Sequence, residues 1–197
     1  MLQRRRRSAH AVTTGPQGRQ RRWRHGTPVS VGRRRPGRRV WFPSSKPGST
    51  QTEAGDVAEV FSPPRVTAQA RKFGLKAGEA WDLTTGWDFT IPSHRKAAER
   101  YTDEHKPLVI IGSPPCTPFS QLHTLNCGSP EAPRTWKQGV EHVRSVLRLY
   151  WKQVAGGRVF LHEHPKNATS WMLEELKRIM KEEGVTAIEA DECMFGL

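Results

Sequence analysis

Acidic residues are absent from the first 50 positions of this 197-residue chain, which hold thirteen Arg and one Lys. Apolar side chains are sparse there too. Such a segment cannot bury enough surface to offset the entropy of ordering it, so residues 1–55 are expected to form a disordered Arg-, Pro- and Gly-rich tail. Cysteine is scarce as well. Cys116, Cys127 and Cys193 are odd in number and lack the spacing of a disulfide framework. That excludes a stapled scaffold and suits a reducing compartment. No run approaches the ~18 apolar residues of a membrane span, and no apolar stretch follows the N-terminal arginines. Neither a membrane partner nor secretion is expected. No internal repeat is visible.

The net charge of +13 therefore belongs to the tail, since beyond residue 50 eighteen cations face nineteen carboxylates. The arginine runs at 4–7 and 33–39 suit nuclear import or polyanion binding. An Arg-rich leader without acids equally suits an organelle transit peptide, and a solvated tail with no selected role stays open.

Residues 56–197 have globular composition and are enough for one domain. The central stretch is LVIIGSPPCTPFS, residues 108–120. Its first five residues are an apolar, β-branched run, the pattern of a buried strand. Pro114 and Pro115 then end the ladder, and the next residue is a thiol, Cys116. Ligands of open α/β sheets sit beyond such strand ends. A cysteine there is a candidate nucleophile, although most free cysteines are small buried fillers.

Elements alternate around this strand. A helix is expected from Pro64 through Phe73 with Gly74 as its cap, then a strand at 79–83, then a helix opened by Pro92. Residues 121–136 read as a long loop. Val140, Val143, Leu147, Tyr150 and Val154 make one helical face across 138–154, a core stripe. A strand at 158–162 runs into His162-Glu163-His164-Pro165. Thr169 or Ser170 caps a helix ending before Gly184, and 185–190 alternates like a strand. The order implies an α/β fold with a mostly parallel sheet. Cys116 and Glu163 then leave it at one edge. Asp82, near the end of the strand at 79–83, and Asp88, after it, are either ligand contacts at the strand end or turn formers.

A thiolate can add to an electron-poor ring carbon while a carboxyl group steadies the ring. Here the sequence resembles a known family. Residues 115–120, PCTPFS, are similar to the PCQxFS signature of DNA cytosine-5 methyltransferases, and 160–165, FLHEHP, resemble their ENV segment. The final ADECMFGL is similar to the start of a later family segment. Thr117 stands where the family has Gln, and His164-Pro165 where it has Asn-Val.

The resemblance spans residues 81–197 and implies a Rossmann-like class I methyltransferase domain using S-adenosylmethionine. That domain would be incomplete, truncated at its C-terminus and diverged. The resemblance gives Cys116 attack on C6 of a flipped cytosine, and Glu163 the contact to the ring. It assigns Asp82, Thr84, Asp88 and Pro114 to the cofactor, and Phe119, Ser120 and His164 to the substrate side. DNA is the expected partner, through tail and cleft, and the nucleus the expected location. The chain also looks like methyltransferase-like segments of retroelement-type polyproteins.

Three other readings compete. Ser113-Pro114-Pro115 resembles the motif of amino-methyltransferases. Cys116, His123, Cys127, His162 and His164 could ligate a metal, without standard zinc spacing. A non-catalytic nucleic-acid-binding module would need only the tail.

Overall fold

A computed structural model describes residues 55–121 and 129–190, with the backbone alone of 8–14 and 191. Strands β1 (Ser8–Thr14), β2 (Val57–Val60), β3 (Ala77–Trp81), β4 (Val109–Gly112), β5 (Val159–Pro165) and β6 (Val185–Asp191) form one sheet in the order β3-β2-β4-β5-β1-β6. β3, β2, β4 and β5 are mutually parallel, whereas β1 is antiparallel to both of its neighbours. The helices are α1 (Val66–Ala70), α2 (Pro92–His105), α3 (Ala132–Ala155) and α4 (Glu174–Ile179). This is an α/β architecture built on a four-stranded parallel sheet, compatible with a Rossmann-like fold.

The expected alternation of helix and strand is present from α1 onward, and two strands are additional. Ser8–Thr14 lies inside the segment whose composition predicts no order, and it separates β5 from β6. The other basic-tail positions, both arginine runs among them, lie outside the described residues.

β2 was hidden by its own sequence. Val57-Ala58-Glu59-Val60 carries a carboxylate in the middle of an apolar run, yet all four residues are buried. Glu59 is 1% exposed. Its Oε2 accepts from the Thr67 backbone N–H and hydroxyl, each at 2.6 Å, and its Oε1 from the Ser62 hydroxyl at 3.1 Å. It closes the start of α1 from eight residues away, so its burial is matched by charge-assisted bonds.

Position along the sheet decides which face each helix covers. β2 leads leftward through α1 to β3, and the chain then moves rightward through α2 and α3 to β4 and β5. Crossovers of one hand must therefore put α1 on the opposite face from α2 and α3. The core agrees. Ala58, Val60, Trp81, Ile110 and Phe160 pack on one face against Ala98 of α2, Val143, Val146 and Tyr150 of α3, and Leu176 and Ile179 of α4. Thr67 and Ala70 of α1 are buried against the other face.

α3 is longer than its apolar stripe suggests. It begins at Ala132, inside the expected loop, with Pro133 in its first turn. Below the sheet, Gln153 is fully buried and donates to the carbonyls of Pro107 (3.0 Å) and Val159 (2.8 Å). It thus ties the entrances of β4 and β5 together. On the surface, Arg148 pairs with Glu99 and Lys152 with Asp103, both at 2.7 Å, joining α3 to α2. Such half-exposed pairs contribute at most about 1 kcal/mol each.

Gly112, the last residue of β4, is a contact glycine. A Cβ there would overlap the Tyr150 hydroxyl and approach Val146. Gly112→Ala should destabilise the domain by about 1–3 kcal/mol, the usual range for overpacking. Tyr150→Phe in the same chain should return part of that loss, because the hydroxyl is the nearest atom. Urea unfolding of the two single variants and the double checks this, and strict additivity would contradict the contact.

Candidate functional site

Parallel pairing brings four strand exits to one edge. Val60 pairs with Trp81 and Gly112, and Gly112 with His162, so Phe61, Asp82, Ser113 and Glu163 follow directly at the same end. The direction of the chain reverses between β2 and β4, and a crevice at such a switch point is where open α/β sheets bind ligands. Phe61 sits there with φ 58°, a left-handed conformation that is uncommon for a bulky residue. Its ring packs 4.9 Å from both Phe89 and His142. No glycine-rich turn follows β2. The sequence there is Phe61-Ser62-Pro63-Pro64.

Cys116 stands on the loop after β4, half-buried, as the residue opening a 3-10 turn. Its carbonyl accepts from the Phe119 N–H at 2.9 Å. Its thiol has no hydrogen-bond partner among the described residues. Glu163 is half-buried on β5, on the strand face opposite to His162 and His164. The sheet therefore brings the Cys116 loop and Glu163 to one edge, but no hydrogen bond joins the two side chains.

His164 links the two exits directly, and the Thr169 hydroxyl adds a bond to the Phe119 carbonyl at 3.2 Å. The His164 Nε2–H donates to the Pro114 carbonyl at 3.0 Å, and its Nδ1 accepts from the Ser170 hydroxyl. Those bonds select one neutral tautomer. His164 is 1% exposed and Phe119 fully buried. Both hold the loop in place and present no surface to a ligand. Phe119 packs edge-on against Trp136 at 5.1 Å and His164 at 5.7 Å. Pro118 lies so close to α3 that a Cβ on Gly139 would sit 2.8 Å from its ring. Pro114 is buried too, and the Ser120 hydroxyl donates to the Thr117 carbonyl at 3.1 Å.

The two aspartates shape turns. Asp82 Oδ1 accepts from the Thr84 N–H at 2.9 Å and the Thr84 hydroxyl at 2.7 Å, capping the 3-10 turn after β3. Asp88 does the same with Thr90, at 2.8 and 2.7 Å, and those bonds hold its carboxyl below the usual carboxylate range. Asp82 remains at the β3 exit, two strands from β4, about 10 Å across the sheet.

His162 and Tyr150, read from the sequence as a metal-ligand candidate and a core residue, meet behind this edge. His162 is fully buried, its Nδ1 lies 3.4 Å from the Tyr150 hydroxyl, and its Nε2 has no partner among the described residues. Tyr150 donates to the Leu161 carbonyl at 3.2 Å. Burial, and then the Glu163 carboxylate, push its phenol well above the ordinary range. A cavity of about 620 Å³ opens beside the loop, between the β3–α2 connection and the first half of α3, with Trp136 and His142 in its wall. Among the described residues no three His, Cys, Asp or Glu are placed to share a metal. His123 and Cys127 lie outside the described residues. No described helix is long and apolar enough to cross a membrane.

Burial pushes His162 down to about 3 and His164 to about 4. Both rings stay neutral in the fold, whereas in the unfolded chain they protonate near pH 6.5. The unfolded state therefore binds more protons as pH falls below 6.5. Stability is complete above that value and is lost as pH falls, down to about 4 for His164 and about 3 for His162, by about 1.4 kcal/mol per pH unit for each histidine. Urea midpoints at pH 7 and pH 5 measure this. His162→Gln should roughly halve the slope, and equal midpoints would contradict neutral burial.

Comparison with protein-family models, with curated proteins and with solved structures finds no match to this chain.

Proposed function

We propose that the chain is a cytosine-5 methyltransferase-like domain of the class I, Rossmann-like type. It uses S-adenosylmethionine, with Cys116 as the nucleophile and Glu163 beside the target ring. The observation that carries this reading is the parallel β4–β5 pairing. It delivers a half-exposed thiol on a proline-rigid loop and a half-buried carboxylate to one sheet edge, next to the switch point.

Glu59 bears on the choice of cofactor. In dinucleotide-binding folds the N-terminus of the first helix takes the pyrophosphate. Here Glu59 fills that place with an internal carboxylate. A nucleoside cofactor without phosphate suits such a sheet. Asp82, a carboxylate at the β3 exit, suits a ribose hydroxyl. Bound S-adenosylmethionine would supply an electrophilic methyl group on a sulfonium.

The residues of this chain have the following roles. The Cys116 thiolate adds to C6 of the extruded base, forming an S–C bond and moving electron density to C5. Glu163 hydrogen-bonds the ring nitrogen and exocyclic amine and so steadies the added charge. Once C5 carries the methyl group, a solvent water takes the C5 proton, the C5–H electron pair restores the C5–C6 double bond, the S–C6 bond breaks, and Cys116 leaves as the thiolate. His164, Phe119 and Pro118 hold the loop that carries Cys116 and are positioning residues.

A second reading follows from the acid-free arginine tail, a non-catalytic module whose nucleic-acid affinity is salt-sensitive and independent of Cys116.

The full chain with S-adenosylmethionine and duplex DNA containing 5-fluorocytosine should give a covalent adduct that survives denaturing gels. Cys116→Ala should give none. Glu163→Gln should form it about 100-fold more slowly, the scale of one lost acid–base group. Calorimetry should show S-adenosylmethionine binding that Asp82→Ala weakens. A folded chain that binds no cofactor and forms no adduct, but binds DNA with a steep salt dependence, would establish the second reading instead.

A further inference from the structure

The cavity beside the Cys116 loop has chemistry that neither the thiol nor the cofactor uses. Its wall includes Phe89, Arg95, Arg134, Trp136, Lys137 and His142. Its volume, about 620 Å³, lies in the range of small-ligand sites. Arg144 and Glu141 also reach it.

Four cations line the cavity, and two of them are already committed. Arg95 donates to the carbonyls of Phe89 and Thr90, at 2.5 and 2.9 Å, and lies 3.7 Å from Glu141. Arg144 pairs with Glu175 at 2.7 Å. Arg134 and Lys137 are exposed and have no hydrogen bond or ion pair among the described residues. They are three apart on α3, so they share one side of the helix.

The helix end makes the imbalance worse. The first turn of this 24-residue helix has no acidic residue, and the residue before it, Glu131, makes no side-chain cap. Cations near a helix N-terminus oppose the macrodipole, and an anion there satisfies both. His142 supplies an independent observation. It is 9% exposed, lines the same cavity, and its buried Nε2 has no hydrogen-bond partner among the described residues. Native structures rarely leave such an atom unsatisfied. Trp136, 39% exposed, lines the same cavity, with one edge on Phe119. An exposed indole in one cavity wall with two unpaired cations fits a flat ring bearing an anion.

We propose that this cavity binds a nucleotide unit, its base against Trp136 and its phosphate between Arg134 and Lys137. Asp82, the residue proposed to hold S-adenosylmethionine, is not in the wall of this cavity. The inference rests on the methyltransferase-like reading only for the choice of a cytosine base as probe. Because Trp136 touches the Phe119 anchor of the Cys116 loop, an occupied cavity would also bear on that loop.

The test is calorimetry on the full chain with cytidine monophosphate, cytidine and inorganic phosphate. The monophosphate should bind at least about tenfold more tightly than cytidine or phosphate. Arg134→Ala/Lys137→Ala should weaken the monophosphate by about tenfold or more, and Trp136→Ala should weaken it while sparing phosphate. Circular dichroism checks folding, which these exposed positions should leave intact. Cys116→Ala should bind the monophosphate as wild type does, so loss of the adduct and loss of this site remain separate results.

A short single-stranded oligonucleotide distinguishes the source. If it binds more tightly than the monophosphate and is weakened by the same double variant, the unit belongs to a strand. If the two bind alike, it is a free nucleotide. The proposal is overturned if the double variant binds as wild type does, if cytidine matches its monophosphate, or if neither nucleotide nor oligonucleotide binds the folded chain.

Discussion

The buried carboxylate of Glu59 organises this sheet. β2 is its pivot, with parallel neighbours on both sides. A carboxylate 1% exposed in such a strand is tolerated only if its lone pairs are used, and here they start α1. That short helix, five residues long, has no side-chain cap from its own N-cap residue. Its place on the face opposite the main core turns the chain around. Without that reversal the β2 and β4 exits would not diverge, and no crevice would open between Phe61 and Ser113. Removing the carboxylate would leave an uncapped helix start and a cavity in the strand, whereas an amide would keep part of the bonding.

That interaction also explains what was legible beforehand. β4, α2, α3 and β5 are local patterns. An apolar run stopped by two prolines, a proline-opened helix and an apolar stripe at helical spacing need no distant partner to be recognised. β2 does need one, because Val57-Ala58-Glu59-Val60 reads as an interrupted run until Thr67 is seen on Glu59. β1 is a stronger case. Its seven residues sit in an Arg-rich, acid-free segment, and only the backbone partners offered by β5 and β6 make it a strand. Composition describes what a segment can do alone, and neither strand is alone.

The candidate site divides the same way. The position of Cys116 follows from a strand and two prolines, and Glu163 follows from the next parallel strand. What could not be read was which neighbours are structural. His164 looks like a ligand in sequence, yet both of its ring nitrogens are spent on the Pro114 carbonyl and the Ser170 hydroxyl. Ser170, expected to cap a helix, is instead the group that orients that ring. Asp82 and Asp88 each turn a carboxylate oxygen inward on a nearby threonine, which is local chemistry, and only Asp82 keeps a position at a strand exit. The cavity was illegible because it joins Phe89 and Arg95 to residues of α3 some forty positions later.

Charge links the two ends of the argument. Counted over the sequence, the part beyond residue 50 is nearly neutral, which argues against a broadly basic surface. Neutral on average is not neutral everywhere. Most α3 cations are matched, Arg148 to Glu99 and Glu141, Lys152 to Asp103, Arg144 to Glu175. Pairing of this kind removes net charge and contributes little stability. Arg134 and Lys137 stand out because their helix has no acid in the turn where one would be favoured. A short-range, geometrically fixed positive field there differs in kind from the tail's sequence-independent one. The tail can raise the local concentration of any polyanion. A cavity with an exposed ring and two unpaired cations in its wall is suited instead to a single nucleotide unit.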